Sequence, residues 1–356
     1  MAKVQRIGIL TGGGDCPGLN AVIRAAVRTA TRDHSLEVLG IQLGFEGLLM
    51  KSCVPLTNEL IRGILPKGGT LLRTTNRGNP FEYPVGDRCE DRSAEVIKNI
   101  RELGIDGIIA IGGDGTLKIA QRLFEMGIPM IAVPKTIDND LAATDFTFGF
   151  MTAVFVATDA VDRLHSTAES HNRVMVLEVM GRNCGWIALY SGLAGGADII
   201  LIPEIPYRPE AIIESIRSRQ SEGSSFDIIV VAEGAKRVGG EERYIDRRSR
   251  RLGGIAYQVA DEIGREINQE IRVTVLGHIQ RGGSPIPFDR LLATRFGKAA
   301  ADLIAHGDFG KMVALRGEQI VAVPIRDAVS NPKYVDINGE LVGTARSLGV
   351  SFGDGL

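Results

Sequence analysis

Two short segments near the middle of the chain carry residue types suited to phosphoryl transfer. Gly112-Gly113-Asp114-Gly115-Thr116 ends one apolar run, and Pro134-Lys135-Thr136-Ile137-Asp138-Asn139-Asp140 ends the next. Glycines let a backbone approach phosphates closely because they carry no Cβ atom. Carboxylates repel phosphate, so carboxylates beside such a loop need another role. They can bind Mg²⁺ or accept a proton from an attacking hydroxyl.

Asp114 is the candidate metal ligand of the first segment. A helix N-terminus beside a carboxylate suits a Mg²⁺-bound polyphosphate, because amides and dipole face the phosphate while Asp114 reaches the metal. The competing interpretation is a helix capped by Asp114 or Thr116. In the second segment, a turn could explain one carboxylate but not the whole polar set. For a third glycine-rich segment, Thr11–Gly18, a tight turn is the favoured interpretation when it is taken alone.

Apolar runs alternating with helical patterns must position these loops. The predicted strands are Arg6–Leu10, Gly107–Ile111, Pro129–Val133, Val174–Val179, Ile199–Ile202, Ile228–Ala232 and Val273–Leu276. The predicted helices are Asn20–Thr31, a helix capped by Asp91 or Ser93 that runs to Leu103, and Thr116–Met126. This alternation predicts an α/β fold with a largely parallel sheet.

Three further segments are assigned by composition. Leu141–Phe150 is expected to cross into a second α/β unit, and the glycine-rich end Gly349–Leu356 is expected to fray. Arg237–Gly254 is predicted to form an exposed loop or hairpin. Its arginines are expected to be solvated rather than to bind an anion; they are Arg243, Arg247, Arg248, Arg250 and Arg251.

Length, charge and cysteine use narrow the classes of function. The 356 residues, 44% of them hydrophobic, suffice for two domains with cores. A formal charge of −2 favours neither a nucleic-acid nor an anionic-membrane partner. No apolar run approaches the ~20 residues of a membrane span, and too few residues precede the first strand for a signal peptide. Four scattered cysteines are expected to be reduced thiols of a cytoplasmic protein.

Taken together, these segments resemble the 6-phosphofructokinase family. Five segments carry the resemblance in family order: Thr11–Asn20 as the first nucleotide loop, Gly112–Thr116 as the metal and phosphate loop, Pro134–Asp140 as the catalytic loop, Met180-Gly181-Arg182 as the sugar-phosphate loop, and Leu276–Pro285 as the most distinctive signature. Gly112–Thr116 alone is unspecific, whereas the catalytic loop combined with Leu276–Pro285 is highly specific. The last fifty residues carry little of the resemblance.

The resemblance implies a fold, a division into domains and an assembly. It implies two doubly wound three-layer α/β/α domains with largely parallel sheets and an active site in the cleft between them. Residues 1–150 with about 280–325 would form the larger, nucleotide-binding domain. Residues 151–279 with the C-terminal segment would form the smaller, sugar-phosphate-binding domain. A homo-oligomer is implied, expected to be a tetramer whose subunits share active sites.

The implied reaction is Mg²⁺-dependent transfer of a phosphoryl group from ATP to the 1-hydroxyl of fructose 6-phosphate. Asp138 would accept the hydroxyl proton, supported by Asp140, while Thr136 and Arg182 would contact the transferring group. The donor would be bound by Gly13, Arg77, Gly113, Asp114 (as the Mg²⁺ ligand), Gly115, Thr116 and Lys135. The sugar phosphate would be bound by Thr136, Asp138, Met180, Gly181, Arg182, Glu233, His278 and Arg281, with Arg173 and Arg272 reaching in from a neighbouring subunit.

Two residues bear on the phosphoryl donor and point in different directions. Gly115 leaves room for a nucleotide, whereas pyrophosphate-dependent members usually carry Asp there. Lys135 is common in pyrophosphate-dependent members. Because an added Lys can accommodate ATP while a carboxylate at position 115 would exclude it, ATP is the expected donor and pyrophosphate the alternative. A catalytically silent subunit that binds sugar phosphate or nucleotide is a further alternative.

Regulation by a bound effector is less clearly encoded. Arg24 and Arg28 match effector-site arginines of bacterial members, and the alternative is that they lie on the polar face of the first helix. His165 stands where those members often carry another arginine, and Ser218–Asp227 lacks their Lys-rich run. These two departures count against the family's usual effector response, whereas the resemblance still allows cooperativity with fructose 6-phosphate, because Arg173 and Arg272 would couple neighbouring active sites.

Overall fold

The computed structural model describes residues 4–86, 88–246 and 251–356. These residues form two compact units, each assembled from three stretches of chain. Unit 1 comprises 1–137, 141–151 and 281–332, and unit 2 comprises 138–140, 152–280 and 333–356. The turn Asp138–Asp140 is thus grouped with unit 2, although the strand directly before it belongs to unit 1.

Unit 1 is built on a mostly parallel sheet. Its strands are β1 (Arg6–Thr11), β2 (Glu37–Ile41), β3 (Cys53–Pro55), β6 (Gly107–Gly112), β7 (Met130–Thr136), β8 (Phe148–Gly149), β15 (Lys311–Arg316) and β16 (Gln319–Pro324), and a separate hairpin is formed by β4 (Tyr83–Val85) and β5 (Arg88–Glu90). The sheet order is β16-β15-β7-β6-β1-β2-β3, with β8 beside β7, and only the outermost pairs β15–β16 and β2–β3 are antiparallel. Its helices are α1 (Leu19–Arg32), α2 (Phe45–Leu49), α3 (Ser93–Glu102), α4 (Asp114–Glu125), α9 (Pro287–Ala305) and α10 (Ile325–Val329).

Unit 2 is built on a smaller parallel sheet of order β10-β11-β9-β14. Its strands are β9 (Val174–Val179), β10 (Ile199–Leu201), β11 (Asp227–Ala232) and β14 (Ile271–Val275), with a hairpin of β12 (Tyr244–Asp246) and β13 (Arg251–Leu252). Its helices are α6 (Trp186–Ala194), α7 (Pro209–Ser221), α8 (Ile255–Ile263) and α11 (Glu340–Ser347); α5 (Phe150–His171) begins at the end of a unit 1 segment, and a 3-10 turn spans Gly277–Arg281.

Each sheet is buried among apolar side chains of its own unit. Strands β6, β7, β9 and β11 are buried along their whole length, so they read as mostly apolar runs rather than as alternating patterns. The sequence therefore locates these strands well, and the α/β fold with largely parallel sheets is confirmed. Strand β7 extends three residues beyond its predicted end, because Pro134, Lys135 and Thr136 continue the buried run.

The C-terminal end is ordered, contrary to the expectation that it frays. Ser351 forms a parallel bridge with Ile199 at the edge of the unit 2 sheet, and the Phe352 side chain is fully buried. Arg346 forms an ion pair with Asp354 at 2.5 Å. The glycines suggested mobility, but one buried aromatic ring and one added bridge hold the segment on the sheet.

Arg237–Gly254 contains the predicted hairpin, in which β12 pairs with β13. Arg243 is exposed, as expected for a solvated arginine. Arg247, Arg248 and Arg250 lie outside the described residues, and only the backbone of Arg251 is described. All four cysteines carry free thiols. Within the described ranges, no helix has the length and apolar character needed to cross a bilayer.

Candidate active site

The phosphate loops of unit 1 lie where its strand order reverses. In this sheet β1 and β6 are neighbours. After β1 the chain continues to β2, on the side away from β6, whereas after β6 it continues to β7, on the side away from β1. At such a switch point the loops after neighbouring strands diverge and leave a crevice at the carboxyl ends of the strands. The two loops at this point are 12–18, after β1, and Gly113, before α4. Both predicted glycine loops therefore start at the same place on the sheet.

Close packing explains the glycine at the start of the first loop. The Gly12 amide donates to the Ile111 carbonyl at 2.9 Å, which ties the loop to the end of β6. A Cβ atom at position 12 would lie 2.6 Å from Thr116 Oγ1, so only glycine fits here. Thr116 is buried against this loop. Its hydroxyl therefore packs between the two glycine loops, within the first turn of α4.

A segment that sequence analysis largely missed completes the first loop. Thr74 Oγ1 donates to the Gly13 carbonyl at 2.6 Å, and the Gly13 amide donates to the Thr75 carbonyl at 3.4 Å. Arg77, the predicted phosphate ligand, is exposed just beyond, with its amide donating to Thr75 Oγ1 at 3.1 Å. The sequence pattern that could have identified this segment is the run of polar residues from 73 to 77, which follows an apolar stretch.

Two cations converge on the carbonyls of the first loop. Lys135 Nζ donates to the Gly14 carbonyl, and the Arg281 guanidinium donates to the Asp15 carbonyl at 3.3 Å. Cys16 lies beneath the loop, where burial raises the pKa of its thiol to about 12 and the Lys135 charge partly offsets that rise. Two cations thus bind the carbonyls of this loop, and burial keeps its thiol protonated.

Asp114 is the first residue of α4, and Gly113 is its N-cap. No side chain caps this helix, so the capping interpretation of Asp114 and Thr116 is wrong. Asp114 forms an ion pair with Lys118 at 2.8 Å. The described residues contain no cluster of three His, Cys, Asp or Glu side chains that could hold a metal by themselves. One carboxylate at a helix N-terminus fits a Mg²⁺ ion held mainly by substrate phosphates and water.

The turn Asp138-Asn139-Asp140 follows β7, with only Ile137 between them. Thr136, the last residue of β7, is buried and lies beside Gly113, since a Cβ atom at position 113 would be 3.8 Å from Thr136 Cβ. Asn139 has a φ angle of +52°, in the left-handed region. Asp138 and Asp140 are both half-buried on either side of it.

The loops of unit 2 that were predicted to bind sugar phosphate follow three neighbouring strands of its sheet, β11, β9 and β14. The Met180 amide donates to Gln280 Oε1 at 2.7 Å, which joins the loop after β9 to the 3-10 turn that carries His278. The Gly234 amide donates to the Gly181 carbonyl at 3.0 Å, which joins the loop after β11.

Sterics at position 234 account for the close approach of these loops. A Cβ atom there would lie 1.8 Å from the Arg182 carbonyl, so only glycine allows the two loops to pack together. Glu233 precedes this contact, and its amide donates to the Val179 carbonyl at 2.9 Å. The Arg182 and His278 side chains are exposed. Four predicted ligands, Met180, Arg182, Glu233 and His278, thus come from loops at one edge of the sheet.

Arg173 and Arg272 lie at the opposite edge of the same sheet. Arg173 directly precedes β9, and Arg272 is the second residue of β14, paired in register with Met175. Both guanidinium groups form ion pairs with Glu270. Six strand residues lie between Arg173 and Met180, and four lie between the register position of Arg272 and Met180. At about 3.3 Å per residue, the separations along the sheet are roughly 15 to 25 Å. The structure does not bring them together with Met180, Glu233 and His278.

The residues considered for effector binding have different surroundings. Arg24 and Arg28 are half-buried on successive turns of α1; partial burial, followed by the Arg28 charge, lowers the pKa of Arg24. His165 Nε2 lies 2.7 Å from the Gly195 carbonyl, and its ring packs edge-on against Phe226. His165 is therefore engaged in the packing of unit 2.

Known proteins are similar to this chain in both fold and sequence. The family model described as Phosphofructokinase matches residues 6–304. An ATP-dependent 6-phosphofructokinase of Chloroflexus aurantiacus is 56% identical over 362 residues, which span 100% of this chain and 99% of that protein. A pyrophosphate–fructose 6-phosphate 1-phosphotransferase of Streptomyces coelicolor is 51% identical over 338 residues, 93% of this chain and 96% of that protein.

A solved structure of phosphofructokinase from Saccharomyces cerevisiae matches 98% of this chain with a TM-score of 0.77 and 29% identity. It matches 47% of that chain, so the present chain spans about half its length. The family model covers most of the sequence, and relatives more than half identical cover nearly all of it. This chain therefore belongs to the phosphofructokinase family.

Proposed function

We propose that this protein transfers a phosphoryl group from ATP to the 1-hydroxyl of fructose 6-phosphate. The observation that carries the proposal is the arrangement at the unit 1 switch point. There the loops at Gly13 and Gly113 present backbone to a polyphosphate, and β7 leads within two residues to Asp138. Phosphoryl transfer depends mainly on positioning and charge stabilisation, which this arrangement supplies. The full-length relative from Chloroflexus aurantiacus, named ATP-dependent, supports the same activity.

The roles follow from the chemistry of each group. Asp138 accepts the proton of the sugar hydroxyl as the new bond forms, because a neutral hydroxyl is a poor nucleophile. Arg182 stabilises the charge on the transferring group, and Lys135 does so from the donor side. Asp114, at the N-terminus of α4, would hold Mg²⁺, and the ion would supply positive charge that neutralises the phosphate oxygens. Met180, Glu233, His278 and Arg281 bind the sugar phosphate.

Gly115 supports ATP over pyrophosphate as the donor. A Cβ atom at position 115 would meet no protein atom within 4 Å, so the packing of the protein does not require glycine there. Gly115 is exposed beside Asp114, and this open space would leave room for a nucleotide. Pyrophosphate remains the second candidate because Lys135 is present and because the Streptomyces coelicolor relative carries that name.

Initial rates with ATP and with pyrophosphate, at matched Mg²⁺, test the donor directly. We expect turnover with ATP to exceed turnover with pyrophosphate at least tenfold. Gly115→Asp should reverse this preference, because its carboxylate repels the inner phosphate of a nucleotide. Gly343→Asp is the matched control, since Gly343 is another helical glycine with open space around its Cβ position. A higher rate with pyrophosphate in the unmodified protein would overturn ATP as the donor, and inertness with both would indicate a silent subunit.

A further inference from the structure

The short segment 333–335, which we call the strap, contacts the turn Asp138–Asp140 within unit 2. The Lys333 amide donates to the Asp140 carbonyl at 2.8 Å, and Lys333 Nζ donates to Asn139 Oδ1 at 3.1 Å. Main chain and side chain of a single lysine thus bind two consecutive residues of the turn. The strap lies beyond residue 304, where the match to the family model ends.

The strap is itself anchored to the start of α6. Trp186 Nε1 donates to the Lys333 carbonyl at 2.7 Å, and Lys333 Nζ lies 5.7 Å from the centre of the Trp186 ring. The Val335 amide donates to Glu204 Oε1 at 2.9 Å, and the same carboxylate accepts the Gly185 amide at 3.0 Å. Lys333 therefore has a fixed position from which it can hold the turn.

The turn has a conformation that needs outside support. A left-handed φ is unfavourable for a residue with a Cβ atom and persists where surrounding contacts determine it. Asn139 tolerates this region better than most residues, and its side-chain oxygen is bound by the Lys333 ammonium. If that contact were lost, rotation of the backbone at position 139 would reorient the carboxylates on both sides.

Charge also favours a cation here. Burial raises the pKa of Cys184, and the charges of Asp140, Glu204 and Asp138 raise it further, while that of Lys333 lowers it. The three carboxylates and the Lys333 ammonium thus all shift the pKa of the same thiol, that of Cys184 in unit 2. An ammonium in this group offsets the mutual repulsion of two carboxylates that are separated by a single residue.

We propose that Lys333 is a positioning residue that fixes the Asp138-Asn139-Asp140 turn in its reactive conformation. The proposal rests on the proposed function, because it assigns Asp138 as the proton acceptor. Lys333 does not contact the substrates in this role. It acts through Asn139 and Asp140, so its loss should lower turnover and leave substrate affinity nearly unchanged.

Lys333→Met tests this role, with Tyr334→Ala as the control because Tyr334 is the exposed neighbour in the same strap. We expect kcat of Lys333→Met to fall about 10- to 100-fold, the range for a misplaced catalytic group, with KM for both substrates changing less than threefold. Lys333→Arg should recover part of the loss. In an Asn139→Ala background, Lys333→Met should lower kcat little further, because both substitutions remove the same hydrogen bond between Lys333 and Asn139. Equal kcat in Lys333→Met and Tyr334→Ala would overturn the proposal.

Amide hydrogen exchange gives a readout independent of activity. Peptides covering residues 136–142 should exchange at least threefold faster in Lys333→Met than in Tyr334→Ala, because the turn loses its side-chain anchor. Emission of Trp186, the only tryptophan of the chain, should change in Lys333→Met as the nearby ammonium is removed. Unchanged exchange at 136–142 would refute the positioning role. If the unmodified protein were inert but Lys333→Met still showed the expected faster exchange, the proposed function would be refuted and the positioning of the turn by Lys333 would stand.

Discussion

Asp138 is the residue on which the proposed chemistry depends most. Asp138→Asn keeps the size and shape of the side chain but cannot accept the sugar proton. We expect kcat to fall 10²- to 10⁴-fold, the usual contribution of a general base, with binding of fructose 6-phosphate largely kept. Steady-state kinetics together with calorimetric titration of the sugar phosphate measure both quantities.

The control for this substitution is Asp145→Asn, which alters a carboxylate that follows the same turn and accepts the Gly317 amide at 2.6 Å in unit 1. It should leave turnover within about twofold of the unmodified protein, as expected for a surface change. Near-normal turnover in Asp138→Asn would mean that another group takes the proton.

Single residues were predictable from the sequence where a motif surrounds them. Thr136, Asp138 and Asp140 stand in one seven-residue loop, which identified them together. Lys333 stands 194 residues from its partner Asn139, in a stretch with no recognisable pattern. A lone lysine between a proline and a tyrosine gives no sequence signal, because its role depends on a contact that only folding creates.

At the scale of elements, the buried parallel strands were the most predictable part. Strand β9 was predicted with its observed bounds, and the bounds of β1 and β6 differ from their predictions by one residue. Helix α4 begins two residues earlier than predicted, because Gly113 rather than a polar side chain forms its N-cap. The edge strand β16 had no prediction, since its half-exposed residues carry a weaker apolar signal. Its buried neighbour β15 had no prediction either.

The amino end of β11 carries a buried acid whose titration should be visible in stability. Burial raises the pKa of Asp227 to about 6 from its ordinary value of 3.8, opposed by the hydrogen bond from Arg219 Nε at 2.8 Å. Between these two values the folded state binds more protons than the unfolded state. The contribution of Asp227 to the free energy of unfolding therefore falls as pH rises from about 4 to 6, and stays constant above.

Asp227→Asn removes this titration while its side-chain oxygen can still accept from Arg219. The variant should gain stability relative to the unmodified protein as pH rises from about 4 to 7. Urea unfolding at several pH values measures the difference, with Glu214→Gln on the exposed face of α7 as the control. A difference that is constant across this pH range would contradict the raised pKa.

At the scale of the whole molecule, two sets of predicted sugar-phosphate ligands lie at opposite edges of the unit 2 sheet. This arrangement suggests active sites that are shared between subunits. Arg173 and Arg272 lie at the amino edge of the unit 2 sheet, whereas Met180, Glu233 and His278 follow its carboxyl edge. Within one chain these arginines are too far from that loop cluster to bind the same phosphate. We therefore predict that they serve the site of a neighbouring subunit in a homo-oligomer.

Mixing two inactive variants tests this prediction. Arg272→Ala and Asp138→Asn subunits should each be nearly inert, and mixed oligomers should regain activity. In a random equal mixture, about a quarter of the sites combine an intact Asp138 with an intact neighbouring Arg272, so about a quarter of full activity is expected. Asp138→Asn mixed with itself is the control. No recovery, despite hybrids detected by native mass spectrometry, would show that each site belongs to one subunit.

The strap also orders events during biosynthesis. Ribosomes add about 5–20 residues per second, so Lys333 is made roughly 10 to 40 s after the turn that it holds, 194 residues earlier. Every residue of the glycine loops and of the catalytic loop has left the ribosome by then. A nascent or prematurely terminated chain therefore carries the complete reactive chemistry without the contact that orients it. We therefore expect full turnover only once Lys333 has been added, and a kcat about 10- to 100-fold lower before then.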